Sequence, residues 1–307
     1  MNHDHHHQHH HHSHAPAKFN RAFAIGTVLN VGFILVEVTY GYLAHSLALF
    51  ADAGHNLGDV LGLLLAWGAS AIARRPPTAR YTYGLRGSSI LAAVTNAVIL
   101  LLSMGAIAWE AIQRFNDPVP VAGGTVITVA VVGVIINSAT ALMFMSGRKT
   151  DLNIRGAFLH MAADALISFG VVLVGIAILV TKWVWLDPIV SLVLVVVVVA
   201  GTWQLLRESV SLALDAVPME IEPLAVKTYL LERPGVLKIH DLHIWAMSTT
   251  ETALTVHLVM PNGYPGDSFL WEVCHELQEH FGIKHSTIQI EIGDSEHSCV
   301  LEPDHVV

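Results

Sequence analysis

The amino-acid sequence predicts a polytopic α-helical membrane protein, with six transmembrane helices followed by a cytosolic α+β domain. Its 307 residues are 53% hydrophobic and only 13% charged, and the mean hydropathy is +0.54. Such a composition is typical of proteins that live in a lipid bilayer. The apolar residues concentrate between about 19 and 206, whereas the last third has the composition of a soluble domain. The apolar part divides into six segments, each near the ~20 residues that a bilayer requires.

These six segments are the predicted transmembrane helices. Short polar or basic loops separate them, and the turn between the fifth and sixth carries Trp183, with Trp185 beside it, as membrane interfaces favour. The predicted spans are 19–44, 47–73, 88–115, 123–145, 154–180 and 184–206.

Beyond about residue 215 the pattern is that of a small soluble domain. Two segments have the apolar periodicity of amphipathic helices, and three are rich in β-branched residues, as strands are. In chain order these elements are 220–233, 236–245, 252–260, 268–281 and 286–292. The order αββαβ predicts a ferredoxin-like or metallochaperone-like domain, with one antiparallel sheet and helices on one face.

The domain boundaries follow from these shifts in composition. We expect a disordered histidine-rich tail at 1–17, a six-helix transmembrane domain at 18–210, a cytosolic domain at 211–294 and a loose tail at 295–307. An expression tag is the alternative interpretation of the histidine tract, although other polar residues interrupt it.

Loop charges predict the orientation in the membrane. Lysines and arginines precede the first span, surround the loops after the second and fourth, and follow the sixth. The opposite side has little beyond Arg114 and Lys182. The positive-inside rule then places both termini in the cytoplasm, and we expect a multi-pass protein of the cytoplasmic (inner) membrane.

Two short motifs inside the second and fifth spans carry the chemistry. His55 and Asp59 stand four residues apart, as do His160 and Asp164, so each pair shares one helix face. Two imidazoles and two carboxylates make a tetrahedral shell suited to zinc, whereas calcium or magnesium prefers more oxygens. Ionisable groups at membrane depth are costly and therefore indicate function. A satisfied interhelical hydrogen bond explains one such histidine but not two matching pairs.

The predicted topology brings the two pairs to a similar depth. The second span enters the membrane from outside and the fifth from inside. Each pair lies roughly 9–13 residues from its entry point, which at a rise of about 1.5 Å per residue is near the midplane. This agreement favours one shared site.

Other polar side chains within the spans have less specific interpretations. Asp52 precedes His55 by three residues, and it either orients His55 through a hydrogen bond or lies near the outer mouth at a helix end. Asn96 and Asn137 are predicted to bridge helices. Glu37 and Glu110 either line the outer path or are exposed residues near the membrane ends.

Histidines recur in the soluble domain and predict regulatory metal binding. His240 and His243 differ by three along a predicted strand, so we expect them on opposite faces. His240, His257 on the neighbouring strand and Glu291 on the last strand are predicted to converge. A second predicted group consists of His285, His297 and Cys299. Free cytosolic thiols are the alternative interpretation of both cysteines, Cys274 and Cys299.

With these motifs in six spans before an αββαβ domain, the chain resembles the cation diffusion facilitator family. The histidine of the second-span motif resembles the zinc-transporting branch of that family. The resemblance covers nearly the whole chain. Further matching stretches are YTYGLR at 81–86, DLNIRGAFLH at 151–160, Asp187-Pro188 and HDLHIW at 240–245.

The resemblance implies a homodimer that exports metal ions from the cytoplasm in exchange for protons. The implied transport site consists of His55, Asp59, His160 and Asp164. The resemblance also implies cytosolic zinc sites that join two C-terminal domains, at positions matching His240, His257, Glu291, His285 and Cys299.

This sequence departs from the family pattern in two places. The loop 74–86 contains no His, Cys, Asp or Glu, so a metal site present there in some relatives should be absent. The tail has one cysteine where some relatives have a pair, and His297 is the candidate substitute.

The predicted function is a zinc/proton antiporter that exports Zn²⁺ from the cytoplasm and has no organic cofactor. Export of Cd²⁺ or Co²⁺ and a membrane zinc sensor or store without transport are the alternatives. An enzyme is disfavoured, because metal-assisted hydrolysis needs a bound water and a positioned base, and four protein ligands leave no place for the water. Nucleic-acid binding is disfavoured too, because no basic cluster contains interleaved aromatic residues.

Overall fold

The computed structural model describes residues 17–73, 75–145, 152–293 and 299–302. The histidine-rich residues 1–16 and most of the predicted C-terminal tail lie outside them. Six long helices come first, and each is long and apolar enough to cross a membrane, as predicted. They are α1 (Ala17–Ala44), α2 (Leu47–Ala73), α3 (Ser88–Asn116), α4 (Gly123–Phe144), α5 (Leu152–Thr181) and α6 (Leu186–Ala213).

The sixth helix differs most from its predicted bounds. It begins at Leu186 and continues through Arg207 and Glu208 to Ala213, seven residues past the predicted end at 206. The prediction followed the fall in hydropathy. Arginine and glutamate are good helix formers, so the backbone stays helical after the sequence has become polar.

Among the described residues, one compact unit comprises 17–60, 103–145 and 152–198. Its buried core joins α1, the start of α2, α4 and α5 around Phe33, Leu49, Val126 and Val171. Glycines permit close approach of the helices: a Cβ at Gly133 would lie only 2.5 Å from the Phe33 ring.

The start of α2 is held by a residue of α6 in the same unit. The buried Asp187 carboxylate accepts hydrogen bonds from Ser46 Oγ at 2.6 Å, from Leu47 N at 2.7 Å and from Ala48 N at 3.3 Å. Ser46 Oγ accepts in turn from Leu49 N at 3.3 Å. The first N–H groups of a helix lack intrahelical acceptors, and the Asp187 carboxylate is the acceptor here.

The other compact unit contains the described residues from 61 to 102 and from 199 to 302. Its soluble part comprises α7 (Pro223–Leu231), β1 (Lys238–Ser248), β2 (Glu251–Val259), α8 (Asp267–Phe281) and β3 (Ile283–Glu291). The predicted order αββαβ is confirmed. Both helices pack on a core that includes Val226, Leu230, Leu254, Leu258 and Leu277.

The three-stranded sheet has the order β1-β2-β3, with β1 and β2 antiparallel but β2 and β3 parallel. The prediction of one antiparallel sheet is therefore wrong for the last strand. A tight hairpin reverses the chain between β1 and β2, whereas α8 carries the chain back along the sheet before β3 begins.

An irregularity in β1 changes which side chains share a face. His240 pairs with His257 and His243 pairs with Thr255, so two residues of β1 oppose one residue of β2. Asp241, inside this β-bulge, has a φ of 51°. Since His257 and Thr255 are two apart on β2, their partners His240 and His243 lie on one face. The prediction that these two histidines point to opposite faces is wrong because of the bulge.

Candidate metal sites

The four residues of the two membrane motifs, hereafter the membrane quartet, come together between α2 and α5. Each histidine faces the carboxylate of the other helix. His55 Nε2 lies 3.4 Å from Asp164 Oδ1, and His160 Nε2 lies 3.3 Å from Asp59 Oδ2. Within each helix the one-turn spacing leaves longer distances, 3.8 Å from His55 Nδ1 to Asp59 Oδ2 and 3.6 Å from His160 Nε2 to Asp164 Oδ2.

The quartet contains buried oxygens that have no hydrogen-bond donor. Asp164 is buried, with 1% of its surface exposed, and both its carboxylate oxygens lack a donor among the described residues, as does Asp59 Oδ2. Burying a carboxylate without compensation is costly, so these oxygens call for a cation or a proton.

Ligand atoms of three members lie close enough to hold one ion. One atom each from Asp59, His160 and Asp164 can be chosen so that all lie within 4.8 Å of one another. His55 lies beside this group, with its Nε2 facing Asp164 and its Nδ1 facing Asp59 at a longer distance. Its ring is nearly perpendicular to that of His160, at 78°, with centroids 6.1 Å apart. Two carboxylates and one imidazole around one point, with a second imidazole beside them, suit a divalent ion that accepts tetrahedral coordination.

A polar group that the sequence analysis did not recognise adjoins the quartet in the same unit. Asn56 Nδ2 donates to Glu37 Oε2 at 3.1 Å, and Ser168 Oγ donates to Asp52 Oδ2 at 3.2 Å. Glu37 is fully buried, which contradicts the exposed membrane-end position, one of its two sequence interpretations. The sequence signal for this burial was the position of Glu37 inside an apolar span, seven residues before the end of α1.

Asp52 matches neither of its two sequence interpretations. It is buried, with 1% exposure, and is not an exposed residue of an outer mouth. No ion pair joins it to His55 in the part of the chain that the structure describes. Its partners are Ser168 and the Glu37 carboxyl group, which lies within hydrogen-bonding reach.

A second candidate site, the cytosolic cluster, consists of His240, His257, Glu291 and Cys299. One ligand atom from each lies within 4.8 Å of all the others. His257 Nδ1 is central: it lies 3.2 Å from His240 Nε2, 3.0 Å from Glu291 Oε1 and 3.5 Å from Cys299 Sγ. Two imidazoles, a carboxylate and a thiolate are all zinc ligands, so the donor set fits a bound zinc ion.

Asp241 contacts the ring of His257 on the side away from the cluster, and the sequence did not reveal this role. Its carboxylate lies 3.4 Å from His257 Nε2 and 2.8 Å from His243 Nε2. A carboxylate on the far nitrogen fixes the ring orientation and tautomer of a metal-binding histidine. The signal was the aspartate between two histidines in the HDLH stretch, but its position depends on the β-bulge.

The structure does not bring His285 to the cytosolic cluster. In the β2–β3 register His285 pairs with Ala253 and Glu291 pairs with Val259, six residues away. At about 3.3 Å per residue this separates them by about 20 Å along the strand. His285 is exposed and its ring packs edge-to-face on Tyr83. Cys299 lies with His257, not with His285 as predicted, and His297 falls outside the described residues.

The two cysteines have different surroundings. Cys299 lies near a salt bridge, since Lys238 Nζ is 2.7 Å from Glu302 Oε1. The hydrogen bond from Lys238 lowers the pKa of Glu302, so the pair is charged at neutral pH and helps to place the short segment 299–302 beside β1. Cys274 lies on α8, where burial raises the pKa of its thiol and so lowers its reactivity.

Comparison with known proteins agrees with this architecture. Residues 23–212 match the family model described as the cation efflux transmembrane domain, and residues 218–292 match that of the cation efflux protein cytoplasmic domain. A zinc transporter of Escherichia coli, ZitB, is 38% identical over 265 residues, which cover 86% of this chain and 84% of ZitB.

Two other relatives are named for metal cations more broadly. The metal cation efflux system protein CzcD of Cupriavidus metallidurans is 37% identical over 296 residues, 96% of this chain and 90% of CzcD. A cadmium, cobalt and zinc/H⁺–K⁺ antiporter of Bacillus subtilis is 34% identical over 286 residues, 92% of each chain.

One similar solved structure is that of the metal-bound C-terminal domain of CzcD. It is 38% identical, covers 23% of this chain and 99% of the solved chain, and has a TM-score of 0.22. Both family models match, and relatives are 37–38% identical over most of the chain. This chain therefore belongs to the cation efflux (cation diffusion facilitator) family of membrane transporters for zinc and related metal cations.

Proposed function

We propose that this protein is a zinc/proton antiporter that exports Zn²⁺ from the cytoplasm through the membrane quartet. The observation that carries the proposal is the convergence of Asp59, His160 and Asp164, with His55 beside them, around oxygens without donors. The nitrogens of His55 and His160 lie 3.3–3.8 Å from these oxygens, farther than in a hydrogen bond of normal length. A site that alternately holds and releases a cation leaves them available.

The donor set supports zinc as the transported ion. Two carboxylates neutralise the double charge of the ion, and two neutral imidazoles add borderline ligands. Histidine at position 55 gives the site one oxygen ligand fewer than a carboxylate there would. Relatives that are named for zinc, cadmium and cobalt support the divalent class of substrate.

Proton coupling follows from the chemistry of imidazole. A histidine must be neutral to bind a metal, so zinc and protons compete for His55 and His160. On a more acidic outer side, protonation of these rings promotes release of zinc, and deprotonation on the cytoplasmic side restores the site. Alternating access exposes the same quartet to each side in turn.

The remaining features of the proposal concern the whole molecule. It is a homodimer in the cytoplasmic membrane with both termini in the cytoplasm, and it performs transport and not enzymatic chemistry. The cytosolic cluster holds a regulatory zinc ion, and the match to a family cytoplasmic domain supports this arrangement.

Flux into proteoliposomes tests the proposal directly. The full-length protein is reconstituted, a pH gradient is imposed, and Zn²⁺, Cd²⁺ and Co²⁺ are followed separately with a fluorescent indicator. We expect zinc uptake that increases with the gradient and collapses when an ionophore dissipates it. Binding of zinc without any flux would instead identify a sensor or store, and faster flux of Cd²⁺ or Co²⁺ would reassign the substrate.

A further inference from the structure

A buried carboxyl pair, Glu37 of α1 and Asp52 of α2, has no part in the metal site described above. Glu37 and Asp52 are 0% and 1% exposed, and their neighbours Asn56 and Ser168 are similarly buried at 3% and 0%. All four residues belong to the same compact unit as the quartet. Glutamate and aspartate are rare inside membranes, and each one needs a partner or a function.

In each carboxyl group of this pair, one oxygen accepts a hydrogen bond and the other does not. Asn56 donates to one oxygen of Glu37, and Ser168 donates to one oxygen of Asp52. The other two oxygens, Glu37 Oε1 and Asp52 Oδ1, have no donor among the described residues. Asp52 and Asn56 stand four residues apart and so share one face of α2, and Glu37 contacts that face through Asn56, which makes the two carboxyl groups neighbours. A single proton between them would satisfy both oxygens and remove the repulsion of two adjacent buried charges.

We propose that Glu37 and Asp52 share a proton that leaves when zinc enters the membrane quartet, so that the pair is a proton-carrying site distinct from the zinc ligands. This inference rests on the proposed function and adds a carrier for the counter-transported proton. When zinc binds, the shared proton passes to water, and the pair, now doubly negative, faces a doubly positive ion nearby. When zinc leaves, the pair takes a proton back.

The position of the pair suits this coupling. Asp52 precedes His55 by about one turn on α2, and Ser168 follows Asp164 by about one turn on α5. Each side chain of the pair therefore lies close enough to sense the charge of the quartet without being a ligand. In the proposed orientation these positions are on the outer side of the quartet.

The charged groups that face the pair come from two helices. They are His55 on α2 and Asp164 on α5, and both act through space because no described ion pair joins them to Glu37 or Asp52. The neighbouring helix α4 contributes Gly133, whose Cβ position is 3.0 Å from Ser168 Oγ. No titratable side chain of α4 occurs in this environment among the described residues.

A second metal site fits these residues less well than a proton does. The group contains no imidazole or thiolate, and two of its four carboxylate oxygens already accept hydrogen bonds from Asn56 and Ser168. A hard divalent ion would need six or more oxygens. A proton needs only the two oxygens that are available.

The test measures protons released for each zinc bound by the purified full-length protein in weakly buffered detergent with a pH indicator. Other zinc sites also release protons, so the release that depends on the quartet is taken as the difference between the native protein and Asp164→Ala. We expect Glu37→Gln and Asp52→Asn to lower this difference by about one proton per zinc, because two coupled carboxyl groups hold one proton between them. Zinc affinity at the quartet should fall by about tenfold or more in both variants, because their pair can no longer become doubly negative when zinc enters. The release is therefore measured at saturating zinc.

Two controls separate charge from structure. Glu37→Asp retains a titratable group and should release the native number of protons. Glu110→Gln removes a glutamate of α3 that is 53% exposed and pairs with Arg114, and it should leave the release unchanged.

The outcomes distinguish this inference from the proposed function. If the native protein binds no zinc that depends on Asp164, the proposed function fails. If it does, but Glu37→Gln and Asp52→Asn release the native number of protons, only the shared-proton inference is overturned. Loss of a zinc equivalent in both variants would show that the pair is itself part of a metal site and would also overturn the inference.

Discussion

The membrane quartet and the cytosolic cluster each gather four metal-binding side chains, but the chain builds them by different means. The quartet takes two residues from each of two helices, and the 3.6-residue repeat alone sets each pair on one face. The cluster takes His240 from β1, His257 from β2, Glu291 from β3 and Cys299 from beyond the sheet. Its geometry depends on strand register, a bulge and the return of the tail.

The two sites also differ in what their donors should do to a bound ion. The quartet has a second carboxylate where the cluster has a thiolate, and a thiolate is the softer and tighter ligand for zinc. In the quartet, the side chains of His160 and Asp59 are 40% and 35% exposed, which favours exchange of the ion. In the cluster, the side chains of His240, His257 and Glu291 are only 2–18% exposed. This contrast suggests an ion in transit at the first site and a resident ion at the second.

The strongest test of the contrast removes a charge from the quartet. We expect Asp164→Ala to reduce zinc flux in proteoliposomes by more than about 100-fold, because even residues behind the ligands of a metal site commonly cost 10–100-fold. Asp117→Ala, which changes an exposed aspartate in the loop after α3, is the matched control. Near-native flux in a well-folded Asp164→Ala protein would rule out the quartet as the transport site.

A second test changes the donor type at one position of the quartet and adds a third carboxylate to the site. We expect His55→Asp to retain transport but to shift the Zn²⁺/Cd²⁺ preference toward Cd²⁺ by about tenfold, because it replaces a borderline nitrogen with an oxygen ligand. Competition flux assays measure the ratio, and His45→Asp, an exposed histidine just before α2, serves as the control. An unchanged ratio would remove His55 from any role in selectivity.

Changing the cytosolic cluster should affect transport less. We expect His257→Ala to lose about one zinc equivalent in equilibrium dialysis while zinc flux falls by no more than about threefold, as for a regulatory ligand. His280→Ala, an exposed histidine of α8, should keep the native stoichiometry. A fall in flux as large as that of Asp164→Ala would mean that the cluster is part of the transport path.

The smallest effect concerns the two cysteines, which form a built-in comparison. We expect zinc to slow alkylation of Cys299 several-fold, because a metal-bound thiolate is protected from alkylating reagents, and a chelator to reverse the effect. Cys274 should react slowly with or without zinc, because burial raises the pKa of its thiol and little thiolate is present at neutral pH. Mass spectrometry resolves the two sites. Equal protection of both, or of neither, would contradict a ligand role for Cys299.

The same contrast explains which features could be read from the sequence. The six helices and the two motif pairs are local patterns, and the membrane makes apolar length a reliable signal. The faces of His240 and His243 could not be predicted, because a single bulged residue, Asp241, reverses the strand alternation. His285 and Cys299 were grouped by nearness in sequence, whereas the parallel β2–β3 register separates His285 from the cluster.

The environment of Glu37 was unpredictable for a related reason. Its position within α1 gave depth but not direction, and its partner Asn56 lies on a different helix. The burial of Glu37 is decided by how α1 and α2 are rotated about their axes. That rotation is a property of the packed bundle and of no single segment.

The hold of Asp187 on the start of α2 has a consequence for how the protein is made. The backbone N–H groups of Leu47 and Ala48 bind a carboxylate that lies about 140 positions later in the chain. During synthesis α2 enters the bilayer long before its acceptor exists, so these N–H groups depend on water or lipid headgroups in the meantime. Insertion of the last membrane helix therefore completes the second helix. A ribosome-bound chain that stops before residue 187 should leave the start of α2 frayed and open to proteolysis.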